Sequence, residues 1–437
     1  MEQPNITSDG SAILTPVFWV MVAMTGVATG LLSAALMGLL FNVQYLAFGY
    51  HSGSLQHGIE QASAVRRVAS LLIAGAFGGV AWYLLRRYTK GKPSEIDEAV
   101  WNGEGRLSPL RCLGTSVISE IVIGMGASIG REAAPKLLGG ASASVLAGWG
   151  GLSDQQRRLL VACGGGAGLA AVYNVPLAGA LFTAEVLVGS ISLPVMLPAI
   201  ACSWIATTTA WIYLPEQATY PGIPDYRFSG SLLTWSLLAG PVIGLISAGY
   251  IRLIGWVSHV RARGVRAVFA PVLAFGVLGV IGIWYPQLFG NGKDMAHDAF
   301  LGVGSIGLLL TLFALKPLVT ALCLGSGASG GLFTPTLSTG AVLGGALGMA
   351  WSHAWPGSPA GAFAMIGAAA MIGAAMQAPL AALALVLELT HSGFALMAPM
   401  LAATVIATAV VFYIDGYSIY SARLPAYRAD DPESPPA

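Results

Sequence analysis

Two glycine-rich turns with the same pattern carry the clearest chemical signal in this sequence. GMGASIG at 124–130 returns as GSGASGG at 325–331. Each turn precedes an apolar segment, so a helix is expected to begin there with its first backbone amides free and its positive dipole end exposed. Where water is excluded, such a helix start binds anions well. The repeated pattern therefore predicts two anion-binding helix starts.

Helix starts of this kind hold an anion without a positively charged side chain beside it. Such a side chain would be costly to bury and would slow release of the anion. We therefore expect a pathway without a fixed cationic side chain. The alternative for the glycines is close helix packing, which is the interpretation we favour for Gly340, Gly344 and Gly348.

Glu132 is the residue with the most specific chemistry near the first turn. It follows Arg131 at the expected start of a helix, where a carboxylate could simply complement the helix dipole. The other interpretation is a carboxylate that competes with a transported anion for the same amides and leaves when protonated. The equivalent residue in the second half is Phe333, so one half alone carries the acid. This asymmetry favours the second interpretation.

Three further polar residues lie within or after apolar segments. Glu185 and Glu388 occupy equivalent positions after two PLA motifs, and a structural role with a local hydrogen-bond partner is favoured for Glu388. Tyr420 follows the last apolar stretch and could be an ordinary interfacial tyrosine.

The elements that position these residues must lie in a membrane. Of 437 residues 55% are hydrophobic and 9% are charged, against about 25% charged in soluble domains. Segments such as Phe18–Leu40, Leu193–Tyr213 and Leu232–Ile254 are long enough to cross a bilayer. Other segments are interrupted by glycine and proline, which predicts helices that break inside the membrane. The net charge of +1 gives no sign of a nucleic-acid partner.

The chain also repeats itself at nearly constant spacing. The glycine-rich turns are offset by 201 positions, from 124 to 325, and the PLA motifs by 203, from 176 to 379. We predict one transmembrane domain over residues 1–437, with repeat halves near 13–225 and 226–424 and a short polar tail at 425–437. Transporters built from related halves bind substrate between the halves near the midplane.

The same motifs resemble the CLC family of chloride channels and anion/proton antiporters. GREAAP at 130–135 resembles the family's GREGP, and GSGASGGLFTP at 325–335 resembles GSGAPGGIFAP. GAGLAAVYNVPLAG at 166–179 is similar to GAGLAAAFNAPLAG, and Tyr420 matches the family's pore tyrosine. Order and spacing fit from Gly26 to Leu424, which covers nearly the whole chain.

The resemblance implies an all-α membrane fold of the prokaryotic type, without cytosolic CBS domains. It implies two inverted repeats whose broken helices meet at the midplane, and a homodimer with one anion pore per subunit. It assigns Glu132 as the gating residue and requires no cofactor or metal. The residues that it places around the anion are Gly130, Arg131, Glu132, Gly331, Leu332, Phe333 and Tyr420.

Two departures from the family pattern leave the mechanism open. The first pore motif, GSGIP in the family, corresponds here to KGKPSE, with Gly91 at the serine position and Ser94 displaced. Many exchangers carry an inner glutamate directly after the position of Glu185, where this chain has Val186. A proton path would then use Glu132, with Glu185 as the candidate for the inner proton acceptor. Fluoride/proton exchangers share both departures, and a passive chloride channel is equally compatible.

We therefore expect transport of small anions, chloride first, by a channel or a proton-coupled exchanger in the bacterial inner (cell) membrane. A fluoride/proton antiporter is the alternative. A lipid scramblase or a non-transporting membrane protein is the alternative of another class. An enzyme is not expected, since the sequence has no nucleotide loop, metal-ligand cluster or Ser/His/Asp set converging on one turn. The expected partners are chloride or another small anion, protons, the lipid bilayer and a second copy of the chain.

Overall fold

The structure of the protein is a computed structural model that describes residues 13–91 and 93–424. The predicted polar tail at 425–437 lies outside the described residues, as does Lys92 of the first pore motif. Helices make up most of the described chain, as the composition predicts. The helices of the first half are α1 Pro16–Phe48, α2 Leu55–Gln61, α3 Ala64–Tyr88, α4 Ile96–Trp101, α5 Pro109–Gly124, α6 Ala133–Trp149, α7 Asp154–Tyr173, α8 Pro176–Phe182 and α9 Leu193–Ala210.

The second half repeats this order of long and interrupted helices. In the first half, a π-helical turn at Thr183–Val188 continues α8. In the second half, short 3-10 turns lie before α12, before α17 and after α17. The helices of the second half are α10 Gly230–Val260, α11 Arg266–Ile281, α12 Lys293–Phe300, α13 Ile306–Gly325, α14 Phe333–Ala354, α15 Ala360–Met376, α16 Pro379–Thr390 and α17 Met397–Ile414.

Several of the helices are long and apolar enough to cross a membrane by themselves. The spans predicted at Phe18–Leu40 and Leu232–Ile254 are confirmed as parts of α1 and α10. The span predicted at Leu193–Tyr213 is confirmed as α9, which ends three residues earlier, at Ala210. Among the described residues, six segments meet this criterion: Pro16–Phe48, Ala64–Tyr88, Leu193–Ala210, Gly230–Val260, Ile306–Gly325 and Phe394–Ile414.

The predicted breaks are present, and they occur at matching positions in the two halves. Asn174 ends α7 in the left-handed conformation with φ of 57°, and Gln377 ends α15 in the same way with φ of 55°. Pro176 and Pro379 then begin the next helices, because proline fits the first helical position, where no amide hydrogen is needed. The other pair of breaks consists of the two glycine-rich turns, which separate α5 from α6 and α13 from α14.

Reciprocal contacts show that the two halves are related by an approximate two-fold axis. Gly130 and Gly331, which are equivalent in the repeat, form an antiparallel bridge in which each amide donates to the carbonyl of the other. Exchange of equivalent contacts is what a two-fold relation between two units produces. The all-α fold with inverted repeats, expected from the resemblance, is confirmed.

A buried lysine holds the first glycine-rich turn from behind. The Lys316 ammonium, on α13, donates to Ser128 Oγ at 2.8 Å, to Gly290 O at 2.9 Å and to Leu288 O at 3.2 Å. The side chain is fully buried. Lys316 thereby ties the turn at 124–130 to the loop that precedes α12.

Candidate functional site

The two glycine-rich turns meet at the centre of the molecule. Gly130 N donates to Gly331 O at 2.8 Å, and Gly331 N donates to Gly130 O at 2.7 Å. A Cβ atom on either glycine would collide with the carboxyl group of Glu132. These two positions therefore need glycine because a carboxylate lies against the backbone of both turns.

The Glu132 carboxylate lies at the start of α14, in the opposite half of the chain. Its Oε1 accepts a hydrogen bond of 2.8 Å from the Phe333 amide, and the side chain is fully buried. The amide is one of those left free at a helix start, and the dipole of α14 favours negative charge there. A negatively charged group thus already occupies the second predicted anion-binding helix start.

Two hydroxyl groups that the sequence analysis did not single out also contact this carboxylate. Tyr173 Oη and Thr334 Oγ1 each lie 3.3 Å from Glu132 Oε2, and they lie 2.6 Å from each other. The Tyr173 ring stacks on Phe333 with 5.9 Å between ring centroids. The only signal for Tyr173 was its position in the GAGLAAVYN motif, and Thr334 carried none beyond its place after Phe333.

Arg131 faces a cavity on one side of the carboxylate, which we call the outer cavity. It has a volume of about 250 Å³ and is also lined by Gln44, Asn291 and Lys293. The Arg131 guanidinium stacks over the Tyr173 ring at 5.1 Å from its centroid. Arg131 thus points away from the glycine bridge and gives the outer cavity a positive charge.

A second cavity, the inner cavity, lies on the other side of the bridge. It has a volume of about 90 Å³, and its lining includes Ser94, Gly331, Leu332 and Tyr420. Of the two positions considered for the first pore motif, Ser94 lies in this cavity. Gly91 is exposed, and a side chain placed there would meet no atom within 4 Å.

The inner cavity also contains a cation, which corrects the expectation of a pathway without one. Lys136, on the first turn of α6, lines the cavity, and its Nζ lies 3.4 Å from Tyr420 Oη. The sequence analysis missed Lys136 because nothing near it in the chain indicates that its side chain turns toward a tyrosine from the other end of the protein.

Charge distribution gives the orientation of the two cavities. Arginines gather around the inner cavity: Arg261 and Arg423 line it, and Arg86 donates to Gly327 O in the second turn. Arg111 and Arg263 lie within electrostatic range of Arg261. Because basic residues concentrate on the cytoplasmic side of membrane proteins, we assign the inner cavity to the cytoplasmic side.

Glu185 and Glu388 each cap a helix in the opposite half of the chain. Glu185 accepts hydrogen bonds from the amides of Leu380 and Ala381, at the start of α16, at 3.1 and 2.6 Å. Glu388 accepts from the equivalent amides at the start of α8, at 3.1 and 2.7 Å. Both pairs satisfy amides that a helix start leaves free. The structural role favoured for Glu388 is thus matched by an identical arrangement at Glu185.

Glu120, on α5, is a further acid that sequence reasoning missed. It is fully buried, and within the described part of the chain neither carboxyl oxygen has a hydrogen-bond partner. Arg131 and Glu132 lie within electrostatic range of it. A buried carboxylate without a partner is costly when ionised, so Glu120 is an unusual group to find beside the site.

Comparisons with known proteins match most of this chain to one family of membrane proteins. Residues 70–411 match the family described as "Voltage gated chloride channel". The chain is 32% identical to the H(+)/Cl(-) exchange transporter ClcA of Yersinia pestis bv. Antiqua (strain Angola) over 312 residues, which are 69% of this chain and 65% of that protein. It is 30% identical to a putative chloride channel protein, ClcB-like, of Ralstonia nicotianae over 405 residues, 88% of this chain and 92% of that protein.

Solved structures share the fold at lower sequence identity. A slow cyanobacterial Cl-/H+ antiporter superposes with a TM-score of 0.81 at 22% identity and covers 93% of this chain and 97% of its own. A CLC-type fluoride/proton antiporter superposes with a TM-score of 0.75 at 20% identity over the same shares.

Proposed function

Because the chain belongs to the voltage-gated chloride channel family, CLC, we propose that it moves small anions across the bilayer, with chloride as the first substrate. The observation that carries the proposal is the Glu132 carboxylate on the Phe333 amide at 2.8 Å. A site that holds a carboxylate through a backbone amide and two hydroxyl groups, with no ion pair to it among the described residues, has the chemistry to hold a free anion in its place. The protein is an integral, multi-pass membrane protein, and we place it in the inner (cell) membrane of a bacterium.

The proposed pathway runs from the outer cavity, past the glycine bridge, to the inner cavity. Arg131 draws anions into the outer cavity, where their local concentration rises. Glu132 occupies the position between the cavities and gates the pathway, because an anion reaches the amides of Leu332 and Phe333 only when the carboxylate leaves. The Gly331 amide instead donates to the Gly130 carbonyl. On the cytoplasmic side, Tyr420 and Ser94 supply hydroxyl groups to the anion.

Proton movement, if coupled, would use Glu132 and a second acid. Glu185 is the proposed inner acceptor from the sequence, but its oxygens are already occupied by two amides of α16. Glu120 has free oxygens and lies within electrostatic range of Glu132. Val186 offers no titratable group, so coupled exchange and passive conduction remain equal alternatives.

Ion efflux from liposomes reconstituted with purified protein tests the proposal. We expect chloride to leave protein-containing vesicles at least about ten-fold faster than empty ones, because the helix-start amides bind anions. Potassium should leave no faster than from empty vesicles, because these amide donors and the positive ends of the helix dipoles repel a cation. Ion-selective electrodes measure each ion in turn. Equal efflux of potassium and chloride would refute anion selectivity, and lipid scrambling without ion flux would point to the scramblase class.

Fluoride in the same assay tests the alternative substrate. The observation that favours fluoride is the altered first pore motif, in which Gly91 lies apart from the inner cavity while Ser94 and Glu95 line it. Efflux of fluoride well above that of chloride would replace the first proposal by the second without changing the pathway.

We propose further that the protein is a homodimer. Helices α8, α9, α16 and α17 carry exposed apolar side chains such as Leu177, Trp204 and Leu380. Lipid would also cover such a face. However, Glu185 and Glu388 are only partly buried there, and a carboxylate that faces lipid is costly. A second copy of the chain would remove both acids from lipid.

Cross-linking tests the dimer. A cysteine at Leu380, on this face, is expected to give a dimer-sized band with a bifunctional maleimide in dilute proteoliposomes. The matched control is a cysteine at Leu273, which is exposed on α11, outside the proposed face. The four native cysteines are buried, so background labelling is expected to be low. Monomer alone from the Leu380→Cys protein, or equal dimer from Leu273→Cys, would contradict the proposed interface.

A further inference from the structure

Lys136 is the cation on the pathway that has no assigned role. It lies one helical turn after Glu132, and its backbone amide donates to the Glu132 carbonyl at 3.2 Å. Its side chain turns away from the carboxylate and lines the inner cavity together with Tyr420. The charge of Lys136 is therefore presented to whatever occupies this cavity.

Aromatic rings, not a carboxylate, hold the ammonium group in place. Lys136 Nζ lies 4.8 Å from the ring centroids of both Phe182 and Tyr420, a distance at which cations are attracted to ring faces. Among the ion pairs within residues 13–91 and 93–424, none includes Lys136. Asp97, which lines the same cavity, acts on Lys136 electrostatically without forming an ion pair with it, and Glu132 acts more weakly. A buried ammonium held in this way keeps its capacity to bind an anion.

The contact between Lys136 and Tyr420 changes how well the Tyr420 hydroxyl donates to an anion. Lys136 Nζ donates to the Tyr420 oxygen at 3.4 Å, which leaves the hydroxyl hydrogen of Tyr420 free to point into the cavity. A hydroxyl that accepts a hydrogen bond from a cation becomes a stronger donor, because chained hydrogen bonds polarise one another. The pair therefore presents a strengthened O–H group with a full positive charge behind it.

We propose that Lys136 and Tyr420 together form a cation-assisted binding site for one small monovalent anion in the inner cavity. The site rests on the proposed anion transport and adds to it a specific ligand. It adds a charged ligand to the hydroxyl group of Ser94 in a cavity to which Gly91 of the first pore motif contributes no side chain. A fixed charge next to the anion raises affinity and slows release, so this protein binds its anion tightly and exchanges it slowly.

Calorimetric titration of the purified, anion-depleted protein in detergent tests the site without relying on transport. Chloride and fluoride are each titrated, with a large organic acid as the buffer anion. We expect Lys136→Met to raise the Kd at least about ten-fold and Lys136→Arg to change it less than about three-fold, since only the first removes the charge. Lys293→Met is the matched control: it removes the same charge from the outer cavity and leaves Tyr420 untouched.

A second variant tests whether Lys136 acts through Tyr420 and not through its charge alone. It also tests the site if Lys136→Met does not fold. Tyr420→Phe, measured alone and with Lys136→Gln, is expected to show strong non-additivity, because each residue acts through the other. An unchanged Kd in the folded Lys136 variants would overturn the site even if the parent transports chloride. Chloride binding without flux in the parent would instead refute the proposed transport and leave the site standing. A parent that neither binds nor transports either halide would overturn both.

Discussion

Glu132→Gln is expected to abolish the response of anion flux to pH. In the parent, flux is expected to rise several-fold when the assay is moved from neutral to acid pH, because protonation removes the charge that holds Glu132 on the Phe333 amide. Glutamine has the same shape without the charge, so the variant behaves as permanently protonated. Flux measured at both pH values should then agree within error, and proton uptake driven by an anion gradient should fall to the level of empty vesicles.

Glu388→Gln is the matched control for this experiment. It makes the same chemical change in a carboxylate that also accepts hydrogen bonds from helix-start amides, but away from the glycine bridge. We expect it to keep the pH response. If Glu132→Gln retained the pH dependence of the parent, Glu132 would be only a cap of α14. Glu185→Gln in the same series tests the proton path, since loss of proton uptake with an intact pH response would identify Glu185 as the inner acceptor.

Lys316→Met is expected to cause the largest loss of stability among single substitutions. The ammonium donates three hydrogen bonds to groups that have lost contact with water, and hydrogen bonds to charged groups contribute about 1.5–3 kcal/mol each. Removing the buried charge offsets part of this loss. We therefore expect a net loss of about 3 kcal/mol, seen as a lower unfolding midpoint of the detergent-solubilised protein.

The surface ion pair between Arg252 and Asp415 provides the comparison. Asp415 accepts from the guanidinium at 2.6 and 2.9 Å, with the arginine side chain 58% exposed. The contact is bidentate and Asp415 is only 12% exposed, so we expect the pair to contribute about 1 kcal/mol. Asp415→Asn should therefore lower the midpoint less than Lys316→Met. An equal shift in the two variants would show that Lys316 does not hold the first turn. Because Ser128 lies two residues before Gly130, Lys316→Met should also reduce anion flux.

The sequence predicted the parts of the site that depend on local pattern. Gly130 and Gly331 were recognisable because each belongs to a repeated turn, and the offset between the turns made them equivalent positions of the repeat. Glu132 stood out because an acid in an apolar segment is rare. The breaks after α7 and α15 were predicted from the glycine and proline residues that interrupt the apolar segments, but the left-handed conformation of Asn174 and Gln377 was not. These features require only the neighbouring residues or the internal repeat.

The missed residues depend on contacts between distant parts of the chain. Lys136 lies on an ordinary helical turn, and its significance comes from Tyr420, 284 positions away. Tyr173 and Thr334 become a hydroxyl pair only after α7 and α14 are brought together. Glu185 is a helix cap only because the halves are inverted, and a single sequence does not reveal this inversion. Side-chain direction across such distances has no local signal.

The exchanged caps of Glu185 and Glu388 have a consequence for synthesis on the ribosome. The amide of Ala178 bonds to a carboxylate 210 positions later in the chain. At about 5–20 residues per second, translation reaches that carboxylate about 10–40 s after the amide is made. During this interval α8 is in place without its acceptor, in a bilayer that offers none. We therefore expect the insertion machinery to keep these amides in contact with water, or with other polar groups of the first half, until the second half has been synthesised.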